Sequence, residues 1–181
     1  LPEYPFVTIS RTIAAKKAQG IDVISFGIGD PDRETPGFIL DALDRGTRNT
    51  PNHRYPESEG LPEFRKSVTD WYERRFGVSL NPETEAISLI GAKEGIGHAA
   101  LAFLNPGDMA IMPDPAYPVY DVGTIFAGGV SYKVPMHEEA GWLVDLDDIP
   151  SDVAKDAKLL WLNYPNNPTG GVAPLEYFNK V

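Results

Sequence analysis

From Ala86 onward the chain repeats one pattern: a short apolar run, a loop of Gly, Pro or Asn, then a stretch with helical spacing. Ala86-Ile-Ser-Leu-Ile, Met109-Ala-Ile-Met, residues 130–134 and Leu159-Leu-Trp-Leu-Asn read as strands. Residues 94–103 and 119–126 read as the helices between them. Parallel neighbours need a helix-length crossover, so this alternation predicts an α/β fold with a mostly parallel sheet. Ligands of such sheets bind beyond the carboxyl ends of the strands. Ahead of this region, residues 9–19, 35–48 and 61–76 read as helices and Val23-Ile-Ser-Phe as a short strand. Leu61, Phe64, Val68, Trp71 and Phe76 follow a helical period that Gly77 stops, and Thr35-Pro36 reads as a cap followed by a first-turn proline. Pro174 opens a last helix.

Charge and composition remove several classes. There are 26 acidic against 16 basic residues, and the basic ones form only pairs such as Lys16-Lys17 and Arg74-Arg75. No face is basic enough to displace counterions from phosphates, so nucleic acid and anionic membranes are not expected partners. The absence of cysteine rules out a thiolate nucleophile, a disulfide framework and a zinc–thiolate site. No metal site is expected. No apolar run approaches the ~20 residues of a membrane span, and Leu1-Pro-Glu-Tyr-Pro-Phe has no signal-peptide pattern. A cytoplasmic protein is expected.

The informative residues sit in loops. Gly91-Ala92-Lys93-Glu94-Gly95-Ile-Gly97 lies between a strand and a helix, where small residues let backbone N–H groups close round an anion. Lys93 adds a point charge. Gly95-Ile-Gly97-His-Ala-Ala100 also fits a dinucleotide fingerprint with Asp114 as its acid. The context argues against a nicotinamide dehydrogenase: both glycines fall inside the helix, and Asp114 is wedged between prolines in a turn. Pro113-Asp-Pro-Ala-Tyr117-Pro-Val-Tyr120 is stiffened by three prolines and offers Tyr117 to a flat ligand, while Tyr120 reads as packing under the next helix. In Asn163-Tyr-Pro-Asn-Asn167-Pro168-Thr169-Gly170 the amide of Asn167 can point into the strand-end crevice. Asn52 to Arg65 is a further polar loop and helix start, in which His53 reads as a loop histidine and Arg65 as a surface charge.

Together these strings resemble the fold-type I pyridoxal-phosphate aminotransferases, and most closely their LL-diaminopimelate aminotransferase branch. The matching elements are Gly27-Ile-Gly-Asp-Pro-Asp, Arg54-Tyr55-Pro with Gly60-Leu-Pro-Glu-Phe-Arg65, Gly91-Ala-Lys-Glu-Gly-Ile, Asp114-Pro-Ala-Tyr-Pro-Val-Tyr and Asn163-Tyr-Pro-Asn-Asn-Pro-Thr-Gly, in family order. The resemblance implies pyridoxal 5'-phosphate as cofactor. It assigns Ala92 and Lys93 to the phosphate, Tyr117 to stacking on the pyridine ring and Asn167 to the ring's phenolic oxygen. Tyr55 would reach the phosphate of a neighbouring subunit, making the protein a homodimer. Tyr4, Gly29, Lys93, Tyr117 and Asn167 would contact the amino-acid and 2-oxo-acid substrates, by branch LL-diaminopimelate and 2-oxoglutarate in lysine biosynthesis.

The same resemblance implies a three-layer α/β/α large domain. Residues 36–181 would be its first, truncated part, and residues 1–35 a segment contributing to the small domain and substrate pocket. The family's Schiff-base lysine, its Asp partner for the ring nitrogen and its Arg for the substrate carboxylate all follow the Asn-Pro-Thr-Gly loop. None of the eight lysines here occupies the expected string, so no catalytic residue is expected before Val181. The 181 residues alone are expected to be inactive, with an open sheet edge and exposed apolar surface. A β-lyase of the same fold and a non-catalytic binding module are the competing readings.

Overall fold

The computed structural model describes residues 5–27, 29 and 31–181. The chain divides into two units, Leu1–Glu57 and Ser58–Val181. The first unit holds α1 (Pro5–Ala18), α2 (Gly37–Arg48) and a short 3-10 turn, Thr50–His53. Pro36 itself takes the cap position of α2, one residue later than the Thr35 cap expected. Helix α2 has no buried residue, and Phe38 and Leu43 on it are exposed. Val23-Ile-Ser-Phe is not a strand. A strand exists only through a pairing partner, and none of the described residues supplies one; Phe26 is 94% exposed.

The second unit is organised around β1 (Met109–Asp114). Successive strand side chains point to opposite faces, so Ala110 and Met112 enter one core and Ile111 the other. The first core gathers Ala110 and Met112 with Ala100 and Leu104 of α4 (Ala92–Phe103) and its end, and Tyr120 of α5 (Val119–Phe126). The second joins Ile111 to Val134, Met136 and Val144. Strand β2 (Val130–Pro135) pairs parallel with β1 from Met109↔Val130 to Asp114↔Pro135. Strand β3, Ala157–Leu160, pairs parallel on the other side after a register shift, giving the order β2-β1-β3. β1 is thus the central strand, covered on both faces, as the apolar run requires.

The remaining helices are α3 (Pro62–Phe76), ended by Gly77 in the left-handed conformation (φ 68°), α6 (Ser151–Asp156) and α7 (Leu175–Phe178). Three expectations are corrected. Residues 86–90 form no strand; the N–H of Ser88 donates to the carbonyl of Glu59 (2.9 Å), and Ile87 and Ile90 stand exposed because no strand lies beside them among the described residues. Asp114 closes β1 rather than sitting in a turn, its carbonyl accepting from Met136. β3 begins two residues earlier than expected and ends at Leu160, although the N–H of Trp161 still donates to the carbonyl of Ile111 (2.9 Å). No helix among the described residues is long and apolar enough to cross a membrane.

Candidate cofactor site

β1 and β3 are parallel neighbours, so the segments that follow them leave the sheet side by side. Aromatic contacts tie these segments together. Tyr120 stacks on Trp161, with ring centroids 5.1 Å apart and planes 9° apart, and meets Tyr117 edge-on at 6.0 Å. The ammonium of Lys93, in the first turn of α4, lies 5.4 Å from the centre of the Tyr117 ring. Lys93, Tyr117 and the segment that begins at Trp161 are therefore linked through Tyr120 at the carboxyl end of the sheet.

Ala92 is the first residue of α4 and is exposed. Gly91 occupies the cap position with φ 80°, which glycine adopts freely. No side chain caps the helix there, and a Cβ built on Gly91 would meet nothing within 4 Å. The start of α4 thus faces open space with its dipole's positive end. The Glu94 carboxylate turns back to accept from the N–H of Ile90 (2.5 Å). Gly95 and Gly97 lie inside α4, and their role is contact. A Cβ on Gly95 would sit 2.6 Å from Leu89 Cδ1, and one on Gly123 of α5 would sit 3.5 Å from the Cα of Gly97. A dinucleotide loop is not formed by these glycines.

Asn167 is exposed, in a loop folded back on itself by hydrogen bonds of Asn166 and Thr169. The Asn167–Pro168, Tyr164–Pro165 and Asp114–Pro115 peptides are cis. Tyr117 is half-buried, whereas Tyr120 is buried in the core, as its packing role requires. Arg65, read as a surface charge, is half-buried and donates to the carbonyls of Pro82 (2.7 Å) and Gly60 (3.3 Å), pinning the start of α3. His53 places its ring nitrogen 2.7 Å from the carbonyl of Thr47.

Tyr55 belongs to the first unit and is 98% exposed; Gly29 is exposed there too, and Tyr4 lies outside the described residues. Among the described residues no group of His, Asp and Glu is arranged to hold a metal. Two hollows of about 390 Å³ lie away from this site. One is lined by Ile111, Ile149 and Leu160, the other by Leu143, Val144 and Tyr177. Neither is lined by Lys93, Tyr117 or Asn167. Sequence reading missed Trp161, seen only as strand, and Asn166, which its own composition cannot tell from Asn167.

An uncapped helix start, a cation, a flat ring and an exposed amide suit a planar ligand that carries an anionic group. The family model for aminotransferases of class I and II matches residues 21–181. The chain belongs to that family. It is 56% identical over its whole length to LL-diaminopimelate aminotransferase of Dehalococcoides mccartyi and 55% to that of Aquifex aeolicus, covering 47% of each. The apo structure of BacF from Bacillus subtilis superposes with a TM-score of 0.92 at 38% identity, over 99% of this chain and 46% of that one. A probable N-succinyldiaminopimelate aminotransferase from Thermus thermophilus gives 0.89 at 36%, over 97% of this chain and 47% of that one. The chain spans about half the length of the curated relatives it matches. Aminotransferases of this family depend on pyridoxal phosphate, an aromatic ring bearing a phosphate, which is the ligand type this donor set fits.

Proposed function

We propose that this chain is the N-terminal part of a pyridoxal-phosphate-dependent LL-diaminopimelate aminotransferase, moving an amino group between LL-diaminopimelate and 2-oxoglutarate in lysine biosynthesis. The observation that carries the reading is the 51–56% identity to proteins of that name along the entire chain. The Lys93–Tyr117 juxtaposition at the start of α4 supports it. Residues 36–181 would belong to the cofactor-binding large domain, and residues 1–35 to the small domain and substrate pocket. The protein would act in the cytoplasm as a homodimer.

The resemblance gives each residue a role that its chemistry suits. The start of α4 at Ala92, with the ammonium of Lys93, would hold the phosphate by dipole and charge. Tyr117 would cover one face of the pyridine ring. Asn167 would donate to the phenolic oxygen, favouring its ionised form. The almost fully exposed Tyr55 makes no use of its hydroxyl within its own unit's core, which suits a group that reaches the phosphate of the partner subunit. Tyr4 and Gly29 would line the substrate pocket, and Lys93, Tyr117 and Asn167 would border it. When bound, the pyridoxal ring supplies an electron sink for the charge left at a substrate carbon as its proton departs.

Three measurements on the whole protein test this. Lys93→Gln should weaken the diaminopimelate substrate more than a monocarboxylic one, because a distal carboxylate loses its cation; equal losses would remove Lys93 from the substrate. Hybrid dimers of one Tyr55→Phe and one Lys93→Gln subunit should regain one native site if Tyr55 crosses the interface. Hybrids no more active than either parent would place Tyr55 in its own subunit's site. Cleavage of cystathionine-like substrates without transamination would favour the lyase.

A further inference from the structure

Asn166 is only 4% exposed, although both of its chain neighbours stand in solvent. A buried amide is costly unless bonded. The N–H of Asn166 donates to the carbonyl of Gly171 (2.8 Å), and its carbonyl accepts from the N–H of Gly170 (2.7 Å). Its Nδ2 donates to Thr169 Oγ1 (2.9 Å), and the same Oγ1 accepts from the N–H of Gly171 (3.3 Å). These four bonds close a ring around the Asn167-Pro168 corner. The far side of the ring is seated too. A Cβ on Gly171 would fall 2.7 Å from Trp142 Cβ and 2.9 Å from the carbonyl oxygen of Gly141, so the loop lies hard against that segment.

We propose that Asn166 and Thr169 are positioning residues that fix the direction of the Asn167 amide toward the cofactor ring. The inference rests on the reading of Asn167 as the donor to the phenolic oxygen; neither Asn166 nor Thr169 touches the cofactor in that reading. The physical reason is the steep loss of a hydrogen bond with angle and distance. An exposed side chain on a free loop would sample many rotamers. The two part-buried hydrogen bonds that the Thr169 hydroxyl accepts, from Asn166 Nδ2 and the N–H of Gly171, hold the corner and reduce that freedom, as supporting groups do for metal-ligating histidines.

The test uses the whole enzyme and two readouts other than turnover. One is the affinity of the apoenzyme for pyridoxal phosphate, followed by tryptophan quenching. The other is the pH at which the bound cofactor's absorption band changes. Asn167→Ala should weaken binding about tenfold, the scale of one hydrogen bond to a charged oxygen, and move the spectral transition to higher pH. Thr169→Val, which keeps the side-chain shape, should move both in the same direction by about threefold or more, and Thr169→Ser should restore them. Asn166→Ala should act like Thr169→Val; should it fail to fold, Thr169→Val carries the test. The double variant Asn167→Ala/Thr169→Val should match Asn167→Ala alone within about twofold, because the hydroxyl acts only through Asn167. A wild-type profile for Thr169→Val, or losses that multiply in the double variant, would overturn the proposal while leaving Asn167 in place. No change in Asn167→Ala itself would remove the underlying reading and this inference with it.

Discussion

The indole of Trp161 lies flat on the ring of Tyr120, and this stack joins the segment after β3 to the segment after β1. The indole nitrogen is buried without a hydrogen-bond partner. Trp161→Ala should therefore cost about 3–5 kcal/mol by opening a cavity. Trp161→Phe should cost much less, since it keeps most of the aromatic contact and removes an unsatisfied donor. Denaturant midpoints of the two variants of the whole apoprotein decide this. Equal destabilisation would mean that the indole N–H contributes after all.

Two tyrosine hydroxyls serve one buried residue, Val144. Tyr177 Oη donates to its carbonyl (3.0 Å), and Tyr164 Oη accepts from its N–H (3.1 Å). Tyr177→Phe should cost about 1–3 kcal/mol, the scale of a buried carbonyl left unpaired. Burial, and after it Tyr164, hold the Tyr177 hydroxyl well above its ordinary pKa, so it stays a donor. The cost should therefore be constant from neutral to mildly alkaline pH. A cost that vanishes on moving from about pH 7 to 9 would contradict the assignment.

Burial pushes the Asp121 carboxyl up, but the hydrogen bonds from Lys133 Nζ (2.8 Å) and Ser131 Oγ (2.6 Å) outweigh it and hold the pKa below its ordinary value. The same bond raises Lys133. A lowered carboxylate stabilises the fold above its unfolded pKa and loses that contribution as pH falls through the folded value. The raised ammonium contributes below its unfolded pKa and loses the contribution as pH rises through its folded value. With Lys133 half-exposed, the pair is worth about 1 kcal/mol or less. Asp121→Asn should thus flatten stability against pH below about 4 and leave the neutral slope unchanged. Thermal scans across the acid range provide the check.

Two neighbouring glycines should respond differently to a methyl group. Gly171→Ala forces a carbon against Trp142 and should cost about 1–3 kcal/mol through overpacking. Gly141→Ala meets open space but keeps φ at 68°, so only the left-handed strain of about 1–2 kcal/mol applies. Only Gly171→Ala should also weaken pyridoxal-phosphate binding, since it alone displaces the Asn167 loop. Equal binding by both variants would show that the loop tolerates the shift.

Local physics was readable from residues alone. The period of Leu61 to Phe76 and the stop at Gly77 set α3, and the bounds of α5 follow from apolar spacing after three prolines. The apolar run Met109 to Met112 foretold a strand, while the pairing of β2 and β3 on either side decided that it is the buried, central one. Loop chemistry, together with the resemblance it carries, singled out Ala92, Lys93, Tyr117 and Asn167 as candidates. Tertiary structure decided what depends on a second segment. Residues 23–26 and 86–90 have strand-like composition yet form none, because a strand is made by its neighbour's hydrogen bonds. Asn166 and Asn167 are chemically identical, and only the closure of the loop onto Thr169 and Gly171 buries one amide and exposes the other. Tyr117 and Tyr120, three residues apart, part in the same way: Trp161, arriving from a strand some forty residues later, stacks on the second, while Lys93 from the start of α4 lies beside the first.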